Sequence, residues 1–413
     1  MDTGFSILFI SLLIISTSVQ LYLALRQIGH VRRHRDAVPE AFAASVPLDA
    51  HRKAADYTHV GMRFGLIELI CGALLLVFWT LGSGLQWLDA FWRGLAWSPV
   101  PTGVAFILSF FLLSSLIDLP FSLYRTFGIE QRFGFNRTTL KLYLIDLLKQ
   151  SVLMLVLGIP LAAVVLWLMQ HAGARWWLYV WMVWMGFNLL MLWAYPTLIA
   201  PLFNKFSPLE DDSLRERIEK LLTRTGFASK GLFVMDGSLR SAHGNAYFTG
   251  FGKAKRIVFF DTLLKELDPP EVEAVLAHEL GHFKRKHVTK QIVLMACLTL
   301  PGLALLAWLA DQPWFYQGLG VSTASLHAAL VLFMVVIPSF TFFVRPLASA
   351  LSRKFEFEAD NYAAGQVDGK YLISSLVKLY RENARTLTPD PLYSAFYDSH
   401  PPPPVRVAHV AGL

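Results

Sequence analysis

A chain of 413 residues that is 54% hydrophobic, with 31 Phe and 12 Trp, carries more apolar surface than a soluble fold of that length can bury, which excludes an ordinary soluble enzyme and implies a multi-spanning membrane protein. The formal charge of +7 is not gathered into a basic stripe interleaved with aromatics, so no nucleic-acid partner is expected. The two cysteines, Cys71 and Cys297, each lie inside an apolar run, which excludes a disulfide framework and a thiolate metal site and leaves any metal to His and carboxylates.

The first apolar run, Phe5–Leu25, has no Lys or Arg before it and no clear small-residue cleavage site, so it reads as a span rather than a leader. Runs near the ~20 residues needed to cross a bilayer follow at Phe64–Trp87, Val100–Leu119, Ser151–Gln170, Trp176–Pro196, Ile292–Ala310 and Leu326–Val344. Positive charge alternates between the loops. Arg26, Arg32, Arg33, Arg35, Arg52, Lys53 and Arg63 follow the first span, whereas Arg93 alone follows the second. Arg125, Arg132, Arg137, Lys141 and Lys149 follow the third, Arg175 alone the fourth, and residues 311–325 contain none. The positive-inside rule then sets the N-terminus outside and puts residues 204–291 and the C-terminal tail in the cytoplasm. The expected fold is all-α and multi-spanning: five spans in 1–203, a catalytic segment in 204–291, spans six and seven in 292–344, and a tail in 345–413. Pro301 and Pro338 should kink the last two spans or open them into a cavity. Glu68 reads equally as an intramembrane carboxylate and as an interfacial side chain beside Arg63, and is given no role.

Residues 245–250 and 256–260 read as two short strands joined by a Gly-Lys turn. Pattern alone fits a core hairpin as well as an edge offered to an extended peptide. Asp268 then opens a helix as N-cap, with Pro269 at the first helical position and Glu271 three residues after the cap. On that helix the run His278-Glu-Leu-Gly-His282 puts two imidazoles on one face, and Glu279 borders the same arc. Two neutral nitrogens suit Zn²⁺, and the adjacent carboxylate suits a base that deprotonates the attacking water. Roughly one such sequence in a hundred would contain this motif by chance, so a third ligand is needed. A third His in the extended pattern requires Gly at 285 and His at 288, and this chain has Arg285 and Val288. On a continuous helix His287 points about 140° from His282 and reads as a solvated or interfacial histidine. A carboxylate is therefore required. Glu356 and Asp360 share a face of a helix ending at Gly365, with Glu358 about 200° from Glu356. Glu356 is the expected ligand, and Asp360 one turn on could orient a ligand His or hand over a proton. By itself this segment reads equally as a charged juxtamembrane helix.

With these motifs the chain resembles the type I CAAX prenyl protease family of integral-membrane zinc endopeptidases. The resemblance extends to Pro120–Asn136, Pro201–Leu209, Asn245–Gly252 and Ser399–Pro401. It implies seven helices around a chamber with a gluzincin-like zinc site facing in, and one zinc per chain. It further implies that Asn245, Ala246 and Tyr247 hold an extended substrate, and that His400 and Arg406 approach the site, where one steadies the oxyanion. The expected substrate is a peptide or protein with or without a lipid, cut near its C-terminus; the compact chain favours a bacterial inner membrane. The same chemistry could serve membrane-protein quality control without a prenyl requirement. A transporter or receptor with a fortuitous motif would show inverted repeats or paired charges through its spans, and neither is present.

Overall fold

The computed structural model describes residues 3–249 and 256–413. Among them seven helices are long and apolar enough to cross a membrane: Gly4–Arg33, Leu48–Trp79, Pro99–Phe133, Leu140–His171, Gly173–Phe203, His287–Ala310 and Leu326–Ala364. The spans match the seven apolar runs but extend well beyond most of them. A helix of 32 residues, such as the second, runs to about 48 Å against a hydrocarbon core of about 30 Å, so its polar end projects past the bilayer. The second run was carried too far: the helix ends at Trp79, and Trp87 belongs to a separate amphipathic helix, Gly84–Gly94. Pro301 sits inside an unbroken helix. Pro338 precedes a tight 3₁₀ turn, Phe342–Val344, from which the helix Arg345–Ala364 departs.

The second, fourth and sixth spans pack at their ends and not along their middles. In the second, His51, Ala54 and Ala55 are buried and then nothing until Trp79. In the fourth, nothing is buried before Val165, and in the sixth nothing between His287 and Leu306. One core, with Phe9, Phe106, Leu166, Leu306 and Val331, closes one end of the bundle. At the other end, residues from Leu209 to Leu280 and from Ala363 to Val410 share a second core. The two polar pieces therefore lie on one side of the membrane, and an open middle separates the cores, as helices around a chamber require.

The second core contains a mixed sheet, so the expected hairpin is the outer half of a larger unit. Strands β1 (Phe206–Pro208), β2 (Leu232–Met235), β3 (Ala246–Thr249) and β4 (Arg256–Phe260) lie in the order β1-β2-β4-β3. β2 and β4 are parallel, and β3 pairs antiparallel with β4, Ala246 opposite Phe259. The expected Gly-Lys turn lies outside the described residues. Ile257 and Phe259 are buried in the same core as Leu276, Ala277 and Leu280 of the helix Pro269–Lys284, which also packs against β3.

Candidate metal centre

The helix Pro269–Lys284 starts with the expected capping box, in which the Asp268 N–H donates to Glu271 Oε2 at 2.8 Å. Lys378 ties down the same start, donating to Asp268 Oδ2 and Glu271 Oε2 at 2.8 Å each. Farther along, Gly281 lets this helix meet Arg345–Ala364 almost backbone to backbone: a Cβ there would lie 2.8 Å from Ala359 Cα. That approach brings Glu356 between the two histidines. Its Oε1 is 3.3 Å from His282 Nε2 and its Oε2 is 3.5 Å from His278 Nε2, with the two Nε2 atoms 3.1 Å apart.

The ligating atoms of His278, His282 and Glu356 all lie within 4.8 Å of one another. Glu356 Oε2 is buried without a hydrogen bond, and two imidazole nitrogens converge beside it. Two nitrogens and one carboxylate, aimed at a common point, fit a divalent metal. Glu279 stands next to His278, and burial pushes its carboxyl above the ordinary range, as suits a group that must accept a proton.

The outer contacts are equally specific. His278 Nδ1 lies 2.8 Å from Asp360 Oδ1, fixing the ring with Nε2 toward the ligand cluster. Arg406 clamps Asp360 with two bonds, Nε to Oδ2 at 2.8 Å and Nη2 to Oδ1 at 2.7 Å. Asp360 is fully buried between His278 and Arg406. His400 Nε2 is 3.6 Å from Glu356 Oε1. Asn245 is exposed, its carbonyl accepting from Phe260 N–H at 2.9 Å. Ala246 and Tyr247 follow in β3, whose outer edge has no strand partner among the described residues.

His287 corrects its sequence reading. The helix stops at Lys284, Lys286 takes a left-handed conformation at φ 56°, and a new helix starts at His287. Angles counted along one helix do not survive that break. His287 is buried at 2% exposure, with Nδ1 2.9 Å from His282 Nδ1 and Nε2 3.0 Å from Glu358 Oε2. Glu358 lies outside the His278, His282 and Glu356 group and is joined to His282 through His287. Gly365 ends its helix in right-handed geometry, φ −76°, not as a left-handed cap.

The segment before β3 is also held by residues that the sequence reading left without a role. Ala242 N–H donates to the Phe135 carbonyl at 3.0 Å, and Arg137 N–H to that of Arg240 at 3.1 Å. Glu130 accepts from Tyr57 at 2.5 Å and lies 3.6 Å from His243. Glu68, left open above, pairs with Arg125.

Residues 27–205 match the family model for the CAAX prenyl protease N-terminal region, with five membrane helices, and residues 208–413 match peptidase family M48. A CAAX prenyl protease 1 homolog of Arabidopsis thaliana is 40% identical over 75% of this chain and 73% of its own length. The chain belongs to the CAAX prenyl protease 1 family of M48 peptidases. The CAAX prenyl protease 1 of Saccharomyces cerevisiae is 35% identical over 74% of this chain and 71% of its own. The crystal structure of S. mikatae Ste24p superposes with a TM-score of 0.92 at 28% identity, covering 98% of this chain and 99% of that one. The chain is thus a multi-pass membrane metalloendopeptidase acting on peptide or protein substrates.

Proposed function

We propose that this enzyme uses zinc to cut membrane-associated proteins near their C-termini, including lipidated proteins of the CAAX type. The observation that carries the reading is the convergence of His278, His282 and Glu356 within 4.8 Å, with Glu279 alongside. Zinc held by these three residues supplies Lewis-acid polarisation of the water and of the scissile carbonyl. Glu279 takes the proton from the attacking water and passes it to the leaving amine. Asp360 and Arg406 keep His278 in its ligating orientation. Arg406 commits Nε and Nη2 to Asp360 and its Nη1 lies 3.4 Å from Glu356 Oε2 on a buried side chain, so the more exposed His400, 3.6 Å from Glu356 Oε1, is the better placed of the two tail residues to donate to the carbonyl oxygen as it turns negative.

An extended peptide adds to the open edge of β3 beside Asn245, Ala246 and Tyr247, where its carbonyl takes the place of Asn245 Oδ1 in accepting from the Ala246 N–H and frees the Asn245 amide to reach its backbone. The alternating Lys and Arg counts favour a cytoplasmic site with the N-terminus outside. A bacterial inner membrane, expected from the compact chain, draws no support from the eukaryotic relatives.

The test is hydrolysis by purified protein of a farnesylated peptide and its unmodified twin, with and without a chelator. Faster cleavage of the farnesylated peptide, abolished by chelation and restored by zinc, is expected. Equal rates would favour quality control instead, and no cleavage by zinc-loaded protein would refute both.

A further inference from the structure

Asp360 and Arg406 serve His278 and, through Arg406 Nη1 3.4 Å from Oε2, Glu356. His278 Nδ1 meets Asp360, and Arg406 holds that carboxylate. Among the described residues, His282 has no carboxylate at its own Nδ1. What it meets is another imidazole, His287 Nδ1 at 2.9 Å, and the far nitrogen of that ring is 3.0 Å from Glu358 Oε2. We propose that His287 and Glu358 form a relay that positions His282, doing through two residues for this ligand what Asp360 does directly for His278.

The hydrogen positions follow from the acceptors. His282 Nε2 faces Glu356 and His278 Nε2, so on the ligand reading above it must be free of hydrogen and its Nδ1 carries the N–H. His287 Nδ1 then accepts, which puts the hydrogen of a neutral His287 on Nε2, where it is donated to Glu358. One orientation of each ring satisfies every partner, and the carboxylate's charge is felt at His282 through two aligned bonds.

The relay is built rather than accidental. His287 is 2% exposed and stacks on Phe355 with ring centroids 4.3 Å apart and planes 10° off parallel. Lys290 stands 5.2 Å over the other ring of that stack and 3.5 Å from Glu358 Oε2. The left-handed Lys286 turns the chain so that the ring after it comes back toward His282. Phe355 and Glu358 flank Glu356 on the same helix, so the element that supplies the carboxylate ligand also supplies the far end of the relay.

The inference rests on His282 being a zinc ligand, and the test separates the two. Zinc affinity is measured by chelator competition on purified protein, together with the thermal melt of the metal-free form. His287→Leu and Glu358→Ala should each bind zinc about 10–100-fold more weakly, with the metal-free melt close to the parent's. His287→Gln should recover most of the affinity, because its amide accepts from His282 and donates to Glu358. His282→Ala is the control: if it leaves zinc affinity unchanged, the ligand assignment fails. If it abolishes binding while His287→Leu and Glu358→Ala bind like the parent, the relay is refuted. A lowered metal-free melt with parental zinc affinity would make His287 merely structural and would also overturn it.

Discussion

Replacing Gly281 by Ala tests whether the close crossing of two helices builds the site. The added methyl would lie 2.8 Å from Ala359 Cα and 2.9 Å from the Ala359 carbonyl oxygen. Non-bonded carbons settle at about 3.5–4.0 Å, so the helices must part by about 0.7 Å or more. Both neighbours are backbone atoms, and no rotamer change relieves them. Overpacking of this kind costs roughly 1–3 kcal/mol of stability. Glu356 rides on the same helix, one turn before Ala359, and a shift of that size exceeds the ~0.2 Å latitude of metal–ligand bonds. Zinc affinity should therefore fall by about 10–100-fold, with kcat/KM falling alongside. Chelator competition reads the first, peptide hydrolysis the second and a thermal melt in detergent the stability loss. Adding Ala359→Gly should restore little, because it removes a Cβ 3.2 Å away but leaves both backbone contacts. Parental zinc affinity and turnover in Gly281→Ala, or full rescue by the second change, would refute the reasoning.

Glu279→Gln should keep zinc while kcat drops by about 10²–10⁴-fold, since the amide cannot accept the water's proton; appreciable turnover in a clean preparation would remove Glu279 from that role. Glu356→Ala should lose zinc outright, whereas Asp360→Ala should bind it about 10–100-fold more weakly and melt lower, because Arg406 is left buried without its partner; the reverse ranking in metal analysis would reassign the ligand. Burial, reinforced by the charge of Glu382, pushes the Glu266 carboxyl up to about 7. The folded state thus favours the protonated form, and this stabilisation is present below the unfolded carboxyl's value of about 4.3 and lost as pH rises through 7. Glu266→Gln should melt higher than the parent at pH 8 and no higher at pH 4, and a lower melt at pH 8 would contradict the shift.

The sequence was most informative inside single unbroken helices. His278 and His282 share a face, as do Glu356 and Asp360, and the angles counted along each helix agree with the structure because nothing interrupts either between those residues. The capping box of Asp268 and Glu271 was legible for the same reason, being a contact across three residues. Counting failed where an element ended without a turn residue to announce it. Lys286 is neither Gly nor Asn, yet it adopts the left-handed conformation that resets the helical phase, so His287 moved from the far side to the inside. The second span was overrun because Leu81, Leu85 and Trp87 continue its apolar pattern into a separate helix. β1 and β2, three and four residues long, were too short to show alternation.

What no periodicity could supply is the contact between elements. Gly281 against Ala359, Asp360 against Arg406, and His287 against Glu358 each join residues that are distant in the chain, and the requirement on each side is visible only beside its partner. A glycine inside a helix reads as a mild fault until a backbone is found where its side chain would be. These three contacts also explain why the site needs both polar segments of the chain. One supplies His278, His282, Glu279 and His287, the other Glu356, Asp360 with its Arg406 clamp, and Glu358. Neither holds a three-ligand site without the shared core between them, so binding of the metal and docking of the two segments should be coupled.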